Sequence, residues 1–400
     1  MEFQKNAFEA AKKWLLESGI QNLDEKSAGF YGSFADWLDL KDGKVHAAYP
    51  EITGYGISAM VFLDLCQRRA KLSDANGFAN KDLQKRAMLA ANWLFEYAST
   101  KTSRGIGILD KLPYEIKNSQ KISYSFDTGM CLNGLTSFME AGYKTHAKGI
   151  EEIANYLAGK VDSKGALNPY EPKSLNFPSK WSMQEGSYHS KVAIGIHHAG
   201  KLLGREDLVE ISKRMANFSI TKQEKDGRFI TDETDKSTYT HAHCYSIEGL
   251  LYFYQKLGDG KYLDAAILGA RHLQMAQFES GGISRKFKDG KFIQDEGSDI
   301  LSQAIRIWRL CESFAKTGEF EKNAARGVER LTTHFQISEL NPKNLQTAKN
   351  ARKINGGFMY GYDDGKLVEN VNCWAAMFAL QALWLTDSKN ANEFDMALLI

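Results

Sequence analysis

The sequence predicts an all-α fold in which six helix hairpins close into a double ring of twelve helices, with short β-hairpins in the loops. Two repeated features predict it. Each odd-numbered helix is followed by a Gly-rich turn, and each even-numbered helix opens on a string of ionisable, amide and aromatic residues. Repeats of one supersecondary unit bury a continuous core by stacking on one another, and their unequal spacing maps insertions to loops on one face.

The elements follow in order. In the first unit a helical window at 3 to 18 leads to Gly29-Phe30-Tyr31-Gly32, and Tyr49-Pro50-Glu51-Ile52-Thr53-Gly54-Tyr55 opens a window at 52 to 71. The second unit runs 81 to 98, Gly105-Ile106-Gly107, then Tyr124-Ser125-Phe126-Asp127-Thr128-Gly129 into 125 to 141. The third runs 145 to 158, Gly165-Ala166-Leu167, then Ser187-Tyr188-His189-Ser190-Lys191 into 188 to 203. The fourth runs 207 to 219, Gly227-Arg228-Phe229, then Thr240-His241-Ala242-His243-Cys244-Tyr245 into 242 to 256. The fifth runs 260 to 276, Gly281-Gly282-Ile283, then Glu296-Gly297-Ser298-Asp299 into 297 to 315. The sixth runs 320 to 334, Gly356-Gly357-Phe358, then Glu369-Asn370-Val371-Asn372-Cys373-Trp374 into 370 to 386.

The even-numbered windows are the more apolar, as in Ile57-Ser58-Ala59-Met60-Val61-Phe62-Leu63 and Ala375-Ala376-Met377-Phe378-Ala379-Leu380. A helix apolar on most sides is buried and one with a single apolar stripe is peripheral, which assigns these to an inner ring. Asp-Gly turns flanked by strand-like residues, at Trp37 to His46 and Ser284 to Ile293, predict β-hairpins that rim the mouth. All six prolines fall in loops or at a helix start. Segments 72 to 80 and 338 to 353 read as mobile surface loops.

Composition excludes several classes. With 51 basic against 49 acidic residues, no overall field recruits nucleic acid or anionic lipid. The N-terminus enters an amphipathic helix without the marks of a secretory signal, and no apolar run is long enough to span a membrane. Five scattered cysteines fit free thiols in a reducing compartment better than a disulfide framework. The expectation is a cytoplasmic protein of one catalytic domain over residues 1–400, with a homodimer left open.

Parallel inner helices point their N-termini to one mouth, where unpaired N–H groups and partial positive charge suit a negatively charged or many-hydroxylated ligand. The candidate catalytic residues at those openings are His189, His241, Tyr124, Asp127 and Glu51. Histidine moves protons near neutral pH; the competing reading is that each caps a helix or satisfies a buried carbonyl. Glu51, Asp127, Asp299 and Glu369 could supply the two carboxylates of glycoside hydrolysis, or serve as first-turn caps. Tyr55, Tyr188, Lys191, His243, Glu369, Asn370, Trp374, Tyr360 and Arg306 are candidate substrate-binding residues, the aromatics for stacking on sugar faces and the cations for a carboxylate or phosphate. His197 and His198, deeper in the same helix as His189, read as packing residues. His241-Ala242-His243-Cys244 matches no zinc spacing, and no phosphate-binding or dinucleotide-binding glycine loop is present, so no cofactor or metal is expected.

These features resemble the (α/α)6-barrel enzymes. Trp14-Leu15 and Trp93-Leu94 followed by Gly-aromatic turns are similar to the terpene cyclase and protein prenyltransferase toroids, whose Asp-rich and Asp-x-Cys motifs are missing here. A closer resemblance, over nearly the whole chain, is to the N-acylglucosamine 2-epimerase group and the helical C-terminal domain of D-glucuronyl C5-epimerases. It is carried by the segments Tyr124 to Gly129, Tyr188 to Lys191, Thr240 to Leu250 and Glu369 to Trp374. It implies an epimerase or isomerase of a sugar or uronic acid unit, in polysaccharide or glycoconjugate synthesis. His189 and His241 would then be the proton carriers, with Tyr124 as alternative, and Lys191, Tyr55 and the helix N-termini would hold the anion. Two other readings remain: a glycoside hydrolase or polysaccharide lyase using Asp127 with Glu51 or Glu369, and a non-catalytic carbohydrate binder.

Overall fold

The computed structural model describes residues 2–27, 29–70, 80–98, 123–171, 181–338 and 351–400. In chain order its long helices are α1 (Glu2–Glu17), α2 (Pro50–Ala70), α3 (Lys81–Trp93), α4 (Ser125–Glu140), α5 (Ala147–Ala158), α6 (Ser190–Leu203), α7 (Glu206–Ile220), α8 (Thr240–Leu257), α9 (Gly260–Met275), α10 (Ser298–Ala315), α11 (Glu321–Arg330) and α12 (Cys373–Trp384). The even helices pack in the cyclic order α2, α4, α6, α8, α10, α12 and back to α2, so α2 stands opposite α8. The odd helices pack outside them, with α1 against α12, so the first helix closes the outer ring on the last inner one. The architecture is an (α/α)6 barrel. The inner helices are buried on nearly all sides; in α4 every residue from Asp127 to Met139 is buried. The outer helices bury one stripe, as in α5 at Ile150, Ile153, Ala154 and Leu157.

The Gly-rich turns have a single structural cause. Gly32, Gly165, Gly227, Gly281 and Gly356 all adopt φ between 88° and 97°, and a Cβ at each would lie 2.1–2.5 Å from a carbonyl oxygen of the next outer helix. Only glycine combines that backbone with that approach. At four of these turns a glutamine, Gln21, Gln223, Gln277 or Gln336, donates from Nε2 to the turn glycine's carbonyl and to a second carbonyl one turn earlier on the next outer helix. The expected turn at Gly105 and most of the segments 72 to 80 and 338 to 353 lie outside the described residues.

Short strands line the mouth: β1 (Trp37–Asp39), β2 (Ser123–Tyr124), β3 (Tyr170–Glu171), β4 (Thr238–Tyr239), β5 (Lys286–Lys288), β6 (Lys291–Phe292), β7 (Met359–Asp363) and β8 (Lys366–Asn372). The expected hairpin at Ser284 to Ile293 is β5–β6, turned by Asp289 and Gly290, both with positive φ, as a primed two-residue turn requires. The hairpin at Trp37 to His46 forms through a Leu38–Val45 bridge. Its β1 also pairs antiparallel with β8, Trp37 opposite Asn372, which staples the first unit to the sixth. The last window begins later than the sequence suggests: 370 to 372 belong to β8, and the helix starts at Cys373, capped by Asn372. Among the described residues no helix is long and apolar enough to cross a membrane.

Candidate active site

A cavity of about 880 Å³ opens at the N-terminal ends of the inner helices. Each inner helix supplies a residue at or just before its first turn: Glu51 from α2, Asp127 from α4, Tyr188 from the 3-10 turn before α6, His241 from α8, Asp299 from α10 and Trp374 from α12. The six stretches meet because parallel helices of one ring bring their starts to one level. Tyr124, Tyr360, Arg285 and Trp181 complete much of the wall.

The polar groups form one connected system. The Tyr49 hydroxyl donates to Asp127 Oδ2 at 2.9 Å and also reaches Glu51. Glu51 is bonded in turn to the Tyr55 hydroxyl, which meets the Tyr245 hydroxyl at 2.8 Å. Tyr55 and Tyr245 lie on opposed helices and are both buried, so their contact closes the cavity floor. Burial raises the Glu51 carboxyl to about 7, against the opposing pull of its tyrosine hydrogen bonds. His241 stacks edge-on against Tyr245, with ring centroids 4.5 Å apart. Burial lowers its pKa, and Asp299, with Oδ2 3.7 Å from Nδ1, offsets part of that effect. The imidazole is therefore neutral at neutral pH.

Of the sequence candidates, Glu51, Tyr124, Asp127, Tyr188, His241, Asp299, Tyr360 and Trp374 line the cavity; Tyr55, His189, Lys191, His243, Arg306, Glu369 and Asn370 stand elsewhere. His189 follows Tyr188 in the 3-10 turn, and successive residues there point to different sides. Tyr188 takes the cavity wall, while His189 is buried behind it with neither ring nitrogen hydrogen-bonded, its pKa pushed down by burial to about 3. The Tyr188 hydroxyl is itself occupied, donating to the carbonyls of Gln184 and Trp181. Tyr55 sits in the floor, one turn below Glu51. His243, two residues past His241, faces the outer ring: its Nδ1 accepts the Phe229 N–H at 3.2 Å and its Nε2 donates to the Gly269 carbonyl at 3.0 Å.

Lys191 and Arg306 lie deeper in the barrel, fully buried around Glu248 at 3.0 and 2.5 Å. Both also donate to the Ile400 carbonyl, and Arg306 to Gln381. Their charges serve the core, since buried cations need paired anions. Glu369 is exposed on β8 and pairs with Lys41, and Asn370 sits opposite Asp39 in the sheet. His197 bonds the Tyr252 hydroxyl inside the core.

Sequence reasoning missed Arg285 and Trp181. Arg285 lies one residue before β5, and the expected hairpin there was the available signal. Trp181 packs against Tyr188 and Tyr239 but starts a single 3-10 turn, Trp181–Met183, too short to give a periodic signal in sequence. For metals, Asp295, Asp363 and Asp364 at the rim bring carboxylate oxygens within 4.8 Å of one another. Asp295 already accepts the N–H groups of Asp364 and Gly365, which fastens the β7–β8 turn.

No family profile matches the chain, and no curated protein matches it in sequence. Solved structures do match in shape. A cellobiose 2-epimerase from Bacillus thermoamylovorans superposes with a TM-score of 0.73 at 13% identity, covering 96% of this chain and 99% of its own. A D-mannose isomerase gives 0.72 at 10%, covering 96% and 97%. An unsaturated glucuronyl hydrolase specific for heparin gives 0.68 at 14%, covering 99% of each chain. Likeness at these identities establishes the fold: the chain has the (α/α)6 barrel shared by sugar epimerases, isomerases and glucuronyl hydrolases.

Proposed function

We propose that the protein is a carbohydrate epimerase or isomerase that takes a proton from one sugar carbon and returns one, with Glu51 and His241 as the two proton carriers. The observation that carries this reading is their placement. Each stands one helical turn above a floor tyrosine, Glu51 over Tyr55 and His241 over Tyr245, on opposed helices whose tyrosines touch. Residues four apart share a helix face, so the two groups look at each other across the space where a sugar ring would lie.

Their protonation states are complementary. Neutral His241 accepts the carbon-bound proton through Nε2, while Asp299 beside Nδ1 favours the imidazolium that forms. With the sugar ring opened to its aldehyde, the C–H electron pair forms a C=C bond to the neighbouring carbonyl carbon and the C=O pair moves onto oxygen, giving an enolate whose oxygen faces the helix N-termini and tyrosine hydroxyls of the mouth. Glu51, protonated near neutral pH, then donates to the opposite face. The shared fold with sugar epimerases and isomerases and the aromatic, polar wall support a saccharide substrate. The cysteines, free and mostly buried, support a reducing, cytoplasmic setting.

The test is proton NMR of aldoses and disaccharides incubated with the enzyme in deuterated water. Loss of one carbon-bound proton signal with appearance of the epimer or isomer is expected. Retention of every such signal across neutral sugars and uronates sinks the reading. One observation favours a second reading, hydrolysis: Asp127 and Glu51 share the Tyr49 hydroxyl, as an acid and base pair would. In that case Asp127→Asn abolishes turnover and His241→Asn merely weakens it.

A further inference from the structure

Two polar atoms in the cavity wall lack partners and stand close together. Asp299 is 2% exposed; its Oδ2 accepts the Trp374 indole N–H at 3.2 Å, while Oδ1 is buried with no hydrogen bond. Arg285 donates from Nη2 to the Tyr360 hydroxyl and lies 4.5 Å from the centre of that ring, while its Nη1 is likewise buried and unpartnered. A Cβ added at Gly297 would lie 2.6 Å from Asp299 Oδ1 and 2.7 Å from Arg285 Nη1. The two atoms are therefore at most about 5.3 Å apart, within the roughly 5.6 Å that two hydrogen bonds to one shared atom can span. The ion-pair contact that Asp299 makes is with His241, not with Arg285.

The atom that fills such a gap must donate to a carboxylate and accept from a guanidinium. A hydroxyl oxygen does both. A carboxylate or phosphate only accepts, so the oxygen that meets Arg285 would set its lone pairs against Asp299. An ammonium only donates, and it would face the guanidinium charge. A secondary amide is trans, with N–H and C=O directed oppositely, and needs partners much farther apart.

We infer that Arg285 and Asp299 together hold one substrate hydroxyl and select a neutral saccharide over the corresponding uronate. The inference rests on the reading of this cavity as the saccharide site. The surrounding charge has the same sense: Asp36, Glu51, Asp127, Asp295 and Asp363 share the wall, whereas the cation Lys286 is engaged by Asp235 and Tyr239. Gly297 is part of the device because any side chain there would intrude between the two atoms. Its backbone is extended, at φ −139° and ψ 140°, so the absence of a side chain answers to space rather than to conformation.

Calorimetric titration with D-glucose, cellobiose and D-glucuronate tests this. The wild-type protein should bind a neutral probe and discriminate against glucuronate. In Asp299→Asn, Trp374 retains the amide oxygen at the Oδ2 position, which turns the NH2 group toward the gap and leaves two donors there. Neutral binding should fall roughly tenfold or more, the equivalent of one hydrogen bond, and glucuronate binding should rise. Arg285→Met and Gly297→Ala should lose neutral binding without that gain, and thermal melting establishes which variants are folded. Equal or better wild-type binding of glucuronate, unchanged neutral binding in the folded variants, or no binding of either neutral probe overturns the inference. Deuterium exchange measured on the same samples separates the claims. Neutral selectivity without exchange keeps this inference and removes the proton-transfer reading; exchange with clamp variants that bind normally does the reverse.

Discussion

The hydroxyls of Tyr55 and Tyr245 meet at 2.8 Å across the barrel, one from each of two opposed inner helices. Both side chains are about 2% exposed or less, and burial raises both phenols well above their ordinary pKa, so neither ionises near neutral pH. The contact sets how far apart the two helices stand where the cavity ends, and with it the spacing of Glu51 and His241 one turn above.

Removing the Tyr55 hydroxyl leaves that of Tyr245 buried without its partner, whereas Tyr55 keeps Glu51 when Tyr245 is changed. Tyr55→Phe should cost about 1–3 kcal/mol of stability, and the double change Tyr55→Phe with Tyr245→Phe should cost less than the sum of the single changes, by about 1 kcal/mol. Strict additivity in a double-mutant cycle followed by urea unfolding would show that the hydroxyls do not interact.

Glu51 links the site to pH in two ways. In the proposed reaction His241 starts neutral and Glu51 protonated, so solvent exchange should rise as pH passes the lowered His241 pKa, below 6.5, and fall as Glu51 ionises near 7. The Tyr55 hydrogen bond pulls the Glu51 pKa down, so Tyr55→Phe should move the alkaline limb to higher pH. A limb that stays in place in this variant argues against Glu51 as its source.

The same shift affects folding. A carboxyl whose folded pKa is raised from 4.5 to about 7 contributes stability that is complete below pH 4.5 and is lost as pH rises through 7. Glu51→Gln removes that loss. The variant should gain on the wild type as pH increases, by at most about 3 kcal/mol above pH 7, with no pH-dependent gain below 4.5. Thermal melting at pH 4 and pH 8 measures the difference.

Lys191, Glu248 and Arg306 behave as core residues in this structure. Glu248→Gln leaves two buried cations without their anion and should destabilise the fold by about 3–5 kcal/mol. Lys191→Met keeps the Arg306–Glu248 pair and should leave saccharide affinity unchanged, whatever it does to the melting temperature. A large rise in KM for Lys191→Met in a folded protein would return Lys191 to the substrate.

The turn glycines should be intolerant. At Gly227, φ is +88° and a Cβ would lie 2.1 Å from the Leu268 carbonyl oxygen. Gly227→Ala should cost at least about 2 kcal/mol. A variant that melts with the wild type would mean that this turn and helix α9 do not pack as described.

The sequence by itself determined the barrel. Helical periodicity, six glycine turns and the apolar character of every second window are local signals, and each reports on its own segment: the positive φ at Gly281 or Gly356, the buried faces of α4 and α12, the Asp289-Gly290 hairpin. Local signals also brought Glu51, Asp127 and His241 to one mouth, because helix starts are visible in sequence and parallel packing gathers them. What only the tertiary structure decided is which side of a helix start faces the cavity. His189 and His243 are one and two residues from cavity-lining Tyr188 and His241, yet both point away, and Lys191 and Arg306 found Glu248 from helices far apart in the chain. A rotation of about 100° per residue converts a one-residue difference into another neighbourhood, and that rotation is set by how neighbouring helices interlock, which no single segment encodes.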